Sequence, residues 1–592
     1  MFGWLHLPKT PRRAGLGVVI CSPFGYESIC AHRSVREFAQ AFAGAGIPAL
    51  RFDYLGTGDS GDVDENIDHI KLWSEDVVAA SRELQVLADV DRICLLGIRL
   101  GALLATLAAG KSPSIDSMIL VGPVVSGRRY ASELRMTQLA GSALSGSLES
   151  TAEAAARRAG PQPLEAGGFT LSAPTVEALT QVDLLSSAPP SVNSMLILDG
   201  DKLPSAKRWA ERLSSSPIRC DYRTMPGLIE MSMTAPQFAA VPHTMISACV
   251  EWLTAPAHAG AVSSPHPPQS SRDEESPALE IMIGEPSDRR SRLTLIRERP
   301  VAIPAAGISL FGIVSEPRRE EKRRRAVILL NPGADSHIGA SRMYVSLARR
   351  WARRGYFALR VDLGGIGDSE TRAGKRDDEV FPEEAIDDIR RTIEYMRACY
   401  GATDITVAGL CSGAYHALRA AAAGLALNRI LMVNPQNYFW KQGMTLEQIQ
   451  LAEVVHNPGL YRRRMFSVEA WARVLKGEAN IMRIGGIYLQ RVRLAAEAVL
   501  RDAARRMRVP LPNDLGWELE RIVASGVGVT FLFARGEPGI DLLKLQAGSA
   551  LARLEQQCHV RIVDSGDHIF SRREPRALMG NLLSKELFAS VR

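Results

Sequence analysis

The chain reads as two tandem α/β domains, each built on a mostly parallel, doubly wound sheet. Three features lead there. At 592 residues it is too long for one hydrophobic core. Short apolar runs bounded by turns alternate with amphipathic helical stretches. One such pattern occurs twice: VVICSPFG followed by FAQAFAGAGIPALRFDYLGTGDSG near the start, and VILLNPGA followed by LARRWARRGYFALRVDLGGIGDS in the second half. The interval from Arg51 to Arg360 and that from Gly97 to Gly409 differ by only three residues, the signature of one domain used twice rather than a short-period solenoid.

In the second half, AVILLNP predicts a buried strand and SRMYVSLARRWARRG a helix closed by Gly355. FALRVDL, DITVAGL and RILMVNP predict three more strands, separated by EEAIDDIRRTIEYMRACYG and SGAYHALRAAAAG as helices. This alternation implies a parallel sheet covered on both faces, with ligands beyond the carboxyl ends of its strands. Residues 254–278, rich in Pro, Ser and Ala, cannot bury a core and read as a linker. The expected organisation is a first domain over 1–253, a linker over 254–292 and a second domain over 293–592. A helical cap is expected at about 436–525, where LEQIQLAEVV and LQRVRLAAEAVLRDAARRM carry helical patterns.

Composition narrows the function classes. Apolar residues make up 46% and charged residues 23%, as in ordinary globular proteins. No window is long and apolar enough for a membrane span, and the N-terminus lacks a secretory h-region, so a cytoplasmic protein is expected. Eight cysteines without CxxC spacing call for neither a disulfide framework nor a zinc site. No metal or cofactor is expected. The net charge of +6 is modest; the basic runs at 318–325 and 461–464 read as solvated surface, then as a site for an acidic partner. Nucleic acid is a remote third, because no stacking aromatics accompany the arginines.

The chemistry centres on GLCSG at 409–413, a strand followed by Gly-x-Cys-x-Gly and a small-residue helix. Glycines at both ends permit a tight, strained turn that pushes the central side chain into a cleft, making Cys411 a candidate nucleophile. Its base is His568, on the loop that ends HVRIVDSGDHIFS. The acid is Glu537, after the strand VGVTFLFA, with Asp541 as the alternative; the alignment of DGD at 199–201 with RGE at 535–537 favours Glu537. Candidate oxyanion donors are the N–H of Ser412 and that of Gly333 or Ala334, Pro332 having none. Asp368 and Ser369 of GGIGDS read as turn residues. In the first domain the corresponding turn, GIRLG, centres on Arg99, which cannot attack a carbonyl, and Glu230 stands near the place of His568. That domain reads as catalytically inactive, with Arg99 as a candidate ligand for a carboxylate or phosphate.

At these turns, and at GTGDS, GIGDS and SGDHIFS, the chain resembles the α/β-hydrolase superfamily, and within it the serine-aminopeptidase-like and exosortase-associated hydrolases. GRRY at 127–130, GGFTLS at 167–172 and NPQNYFWKQG at 434–443 are also similar to stretches of hydrolases from exopolysaccharide gene clusters. The resemblance implies two tandem hydrolase-like domains and a role in exopolysaccharide or lipid-type biosynthesis. Cysteine at the place of the expected serine points away from simple peptidase or lipase action and toward esters and thioesters. The expected activity is hydrolysis or acyl transfer through Cys411, His568 and Glu537, with an acyl ester or thioester as substrate, a carrier protein as a candidate bearer of the acyl group, and no membrane span. The competing reading is a non-catalytic binding or scaffold protein; peptidase action is a third.

Overall fold

The computed structural model describes residues 1–10, 15–144, 163–202, 204–255, 281–283, 296–317, 324–441, 444, 500–507, 509 and 511–589. Most of the expected linker, most of the expected cap and most of both basic runs lie outside these residues; within the expected linker, Ile281–Ile283 forms a short strand. The chain divides into two compact units, one comprising Met1–Pro300 with Ala334–Ser346 and the other Val301–Gly333 with Leu347–Arg592. Grouping of Ala334–Ser346 with the first unit was not expected from the sequence. Within that unit His337 Nε2 lies 2.7 Å from Asp59 Oδ2, and Arg342 donates to the carbonyls of Gly58 and Ser60.

The first unit carries β1 (Phe2–His6), β2 (Leu16–Cys21), β3 (Ala49–Asp53), β4 (Arg92–Ile98), β5 (Ile115–Val121), β6 (Leu164–Ala166), β7 (Phe169–Leu171), β8 (Ser194–Gly200) and β9 (Arg219–Met225). Its main sheet has the order β1-β3-β2-β4-β5-β8-β9, while β6 and β7 form a separate ribbon. All main-sheet pairs are parallel except β1 against β3. β2 is buried along its whole length, as expected where helices cover both faces of a sheet. Phe38 and Phe42 pack on one face, and Trp73 and Leu84 belong to the cluster on the other. Asp68 starts the helix His69–Ala88 by accepting from the N–H groups of Ile70 and Lys71.

Strands numbered onward are β10 (Ile281–Ile283), β11 (Ile296–Ala305), β12 (Ile308–Glu316), β13 (Arg325–Leu330), β14 (Tyr356–Val361), β15 (Asp404–Leu410), β16 (Arg429–Val433), β17 (Gly528–Ala534) and β18 (Cys558–Val563). From β12 the order is β12-β14-β13-β15-β16-β17-β18. Every pair is parallel except β12 with β14. The order reverses direction at β13, so β13 and its neighbour β15 point their carboxyl ends at the place where a doubly wound sheet binds its ligand. Leu330 at the end of β13 pairs with Gly409, two residues before Cys411.

The turns after β3 and β14 are built alike. Asp53 accepts from the N–H of Asp59 while Ser60 Oγ donates to the Asp53 carbonyl; Asp362 accepts from the N–H of Asp368 while Ser369 Oγ donates to the Asp362 carbonyl. Asp368 and Ser369 are therefore turn-holding groups. Among the described residues, no helix is long and apolar enough to cross a membrane.

Candidate active site

β15 ends at Leu410, and the helix Ser412–Ala422 begins two residues later. Cys411 joins them with φ 56° and ψ −115°, a left-handed backbone that L-residues seldom adopt. The glycines on either side make the turn feasible. A Cβ on Gly413 would lie 2.5 Å from the Leu330 carbonyl oxygen, and one on Gly409 2.2 Å from the backbone of Gly413. Strand and helix can fold back this sharply only where those two positions carry no side chain. The sulfur of Cys411 is consequently presented at the carboxyl edge of the sheet, half-buried.

His568 follows β18, and Glu537 is the N-cap residue of the helix Pro538–Ala547. His568 Nδ1 lies 2.8 Å from Glu537 Oε1. Glu537 is buried, whereas 27% of the His568 side chain reaches solvent and its Nε2 does not. With Nδ1 on the carboxylate, Nε2 has no hydrogen-bond partner in this geometry and is left for the sulfur. Burial works against a charged imidazole here, but the neighbouring Cys411 sulfur and the Glu537 carboxylate outweigh it and raise the His568 pKa well above the ordinary value. Asp541 sits in the first turn of the following helix, and it is Glu537 that the imidazole meets.

The three oxyanion candidates fare differently. Ser412 opens its helix, so its N–H has no intrahelical acceptor and points out of the helix end. The N–H of Gly333 donates to Ser412 Oγ at 2.7 Å, so in this structure it is engaged. Ala334 is buried and opens the segment grouped with the first unit.

Two groups were missed by sequence reasoning. Asn434, just beyond β16, donates from Nδ2 to the His568 carbonyl at 2.6 Å and accepts from the Ala534 N–H at 2.8 Å, tying the histidine loop to the end of β17. Gln436 Nε2 lies 3.2 Å from His568 Nδ1, and its Oε1 lies 4.0 Å from Cys411 Sγ. A usable signal was present: NPQN follows the strand beside the elbow strand, where polar residues face the cleft. One to two turns along the helix from Cys411, Tyr415, His416 and Arg419 line a separate cavity of about 570 Å³ with Phe381, Trp440 and Glu518. His416 belongs to this packing, with Nε2 3.0 Å from the Val380 carbonyl oxygen and its ring beside Phe381.

The first unit has the same turn with different chemistry. Arg99 takes φ 53° and ψ −116°. Its Nε donates to Glu27 Oε1 and its Nη2 to Glu133 Oε2, both at 2.9 Å, and its guanidinium lies over the Tyr130 ring. An external carboxylate or phosphate would have to displace these two carboxylates. Glu230 pairs instead with Lys202 at 2.7 Å.

A family model described as serine aminopeptidase, S33, matches residues 19–198 and 322–458, together more than half of the chain. No curated protein matches significantly. Among solved structures, the chain is similar to Est1E from Butyrivibrio proteoclasticus with ferulic acid bound (21% identity, 43% of this chain and 93% of that one, TM-score 0.32). It is also similar to an alpha-beta serine hydrolase homologue from Coxiella burnetii (11% identity, 49% and 97%, TM-score 0.29).

Proposed function

From the premise that this chain belongs to the serine aminopeptidase S33 family of α/β hydrolases, we propose that its second unit cleaves or transfers acyl groups from esters or thioesters through Cys411, His568 and Glu537. What carries this reading is the contact of His568 Nδ1 with Glu537 Oε1 at 2.8 Å, which leaves the buried Nε2 as the ring nitrogen able to take the thiol proton.

In the first step the Cys411 proton passes to His568 Nε2 and the sulfur attacks the acyl carbon. The developing oxyanion is held by the N–H of Ser412 at the helix N-terminus. Collapse breaks the bond to the leaving alcohol or thiol, which takes the proton from His568, and the acyl group remains on sulfur. Water, an alcohol or an amine then gives a proton to His568 and attacks the thioester, releasing an acid or a new acyl product and restoring the thiol. Glu537 orients the imidazole and stabilises its charged form throughout. Esters and thioesters suit this site better than peptides, since among the described residues no acid placed to bind a substrate amine is evident; an acyl group borne on a carrier protein is a candidate donor for transfer in exopolysaccharide or lipid-type biosynthesis. The first unit is a tandem, non-catalytic relative, a reading favoured by the internal neutralisation of Arg99.

The test is incubation with activated acyl esters and thioesters followed by mass spectrometry. An acyl adduct on Cys411 that is absent from Cys411→Ala is expected. Absence of any adduct in folded protein would reject the proposal and favour a scaffold protein.

A further inference from the structure

One backbone N–H beside the elbow is committed to a side chain. Pro332 has no N–H, so after Asn331 the loop that follows β13 carries its first donor on Gly333. That N–H donates to Ser412 Oγ at 2.7 Å, and the Ser412 hydroxyl donates to the Asn331 carbonyl at 3.3 Å. A buried hydroxyl on the residue next to Cys411 thus spans the loop from Asn331 to Gly333. The bond it accepts is short and the bond it gives is long. A Cβ placed on Gly333 would meet nothing within 4 Å, so open space lies beside this residue. The root of the loop is held by other means. Asn331 Nδ2 donates to Asp362 Oδ1 and its Oδ1 accepts from the Leu363 N–H, both at 2.8 Å. Asp362 is in turn fixed by the GGIGDS turn. Loss of the Ser412 hydroxyl therefore leaves Asn331, and with it the start of the loop, in place.

Resting on the reading of Cys411 and His568 given above, we infer that the Ser412 hydroxyl is a stand-in for the oxyanion: it occupies the Gly333 N–H in the free site and gives that N–H up to the acyl oxygen as negative charge develops there. A neutral carbonyl is no better an acceptor than a hydroxyl, whereas a hydrogen bond to an oxyanion is about twice as strong, so the exchange favours the transition state. In that step the sulfur–carbon bond forms, the carbonyl π pair moves onto oxygen, and the Gly333 hydrogen changes acceptor without leaving its nitrogen. Ser412 keeps its own hydroxyl proton, turned to the Asn331 carbonyl. The N–H groups of Ser412 and Gly333 then share the charge, where the free site offers the first alone. The hydroxyl makes Ser412 a positioning residue that acts through Gly333, and it slows acylation by the cost of the bond that must be given up.

The experiment compares full-length parent and Ser412→Ala, with Cys411→Ala as the blank, in two reactions at about pH 8. The first is release of p-nitrophenolate from p-nitrophenyl butyrate in the first turnover, which develops an oxyanion. The second is alkylation of Cys411 by iodoacetamide, read by peptide mass spectrometry, which displaces iodide and develops none. Ser412→Ala should speed acylation about threefold to tenfold and leave alkylation within about twofold of the parent. Unchanged or slower acylation at the parental rate of alkylation would overturn the inference. Equal changes in both rates would overturn it too, since they would place the effect on the thiol rather than on the oxyanion. If folded parent is alkylated at Cys411 but releases no p-nitrophenolate above the blank, the proposed function fails and the inference falls with it.

Discussion

Lowering the pH should destabilise the second unit through His416, a histidine in the helix that follows the elbow. Burial, only partly offset by the Val380 carbonyl and Asp388, depresses its pKa from 6.5 to about 4. The folded state then holds this ring neutral over a range in which the unfolded chain binds a proton. Its contribution is fully present above about pH 6.5 and is lost as the pH falls toward about 4. At about 1.4 kcal/mol per pH unit, the whole loss is about 3 kcal/mol, of which about 2 kcal/mol has gone by about pH 5. His416→Gln keeps a donor for the Val380 carbonyl but does not titrate. Urea unfolding of the full chain, followed by pulse proteolysis with fragments mapped to the second unit, gives the stability of parent and variant at about pH 7.5 and about pH 5. The packing cost of glutamine cancels in the double difference, and the variant should lose about 2 kcal/mol less than the parent on acidification. Equal losses in the two proteins would refute the assignment of a buried neutral imidazole.

Further outcomes test the site and its counterpart. Glu537→Gln should retain the fold but slow single-turnover acylation of Cys411 about a thousandfold, because an amide no longer stabilises the imidazolium and favours the wrong tautomer; rapid-quench mass spectrometry measures it. Gly413→Ala places a Cβ 2.5 Å from the Leu330 carbonyl oxygen, so it should cost about 2 kcal/mol of second-unit stability in a urea titration and reduce Cys411 labelling. Arg99→Met leaves Glu27, with a side chain only 15% exposed, beside no guanidinium, and should destabilise the first unit by about 3 kcal/mol in the same titration. Adding Glu27→Gln should restore most of that stability.

What the sequence discloses and what it withholds follow from the range of the interactions concerned. The elbow is legible because its constraint is local: two glycines four positions apart, a strand before and a helix after. His568 and Glu537 are legible because parallel strands run in one direction, so the ends of β17 and β18 must open on the same edge as the end of β15. The choice between Glu537 and Asp541 depends on a few ångströms at a helix start, and the alignment with the first half was the only clue to it. Gln436 was overlooked: its place in NPQN, after the strand beside the elbow strand, hinted at the cleft, but its two contacts join residues 25 and 132 positions away and leave no periodic trace. The engagement of the Gly333 N–H by the Ser412 hydroxyl likewise depends on a rotamer. β1 was missed because a five-residue edge strand, antiparallel to β3, carries too little alternation to stand out from the N-terminus.

The paired elbows also bear on how readily activity can be gained or lost. Cys411 and Arg99 share a left-handed backbone within a few degrees although one is a small thiol and the other a long cation. The flanking glycines and strand ends fix that conformation, which costs about 1–3 kcal/mol whatever non-glycine residue occupies it. The backbone of the turn therefore places little demand on which non-glycine side chain stands at the tip; at Arg99 the demand comes instead from the Glu27 carboxylate beside it. On the proposed reading of Cys411, a single substitution at its turn would remove or exchange the nucleophile while leaving the turn intact.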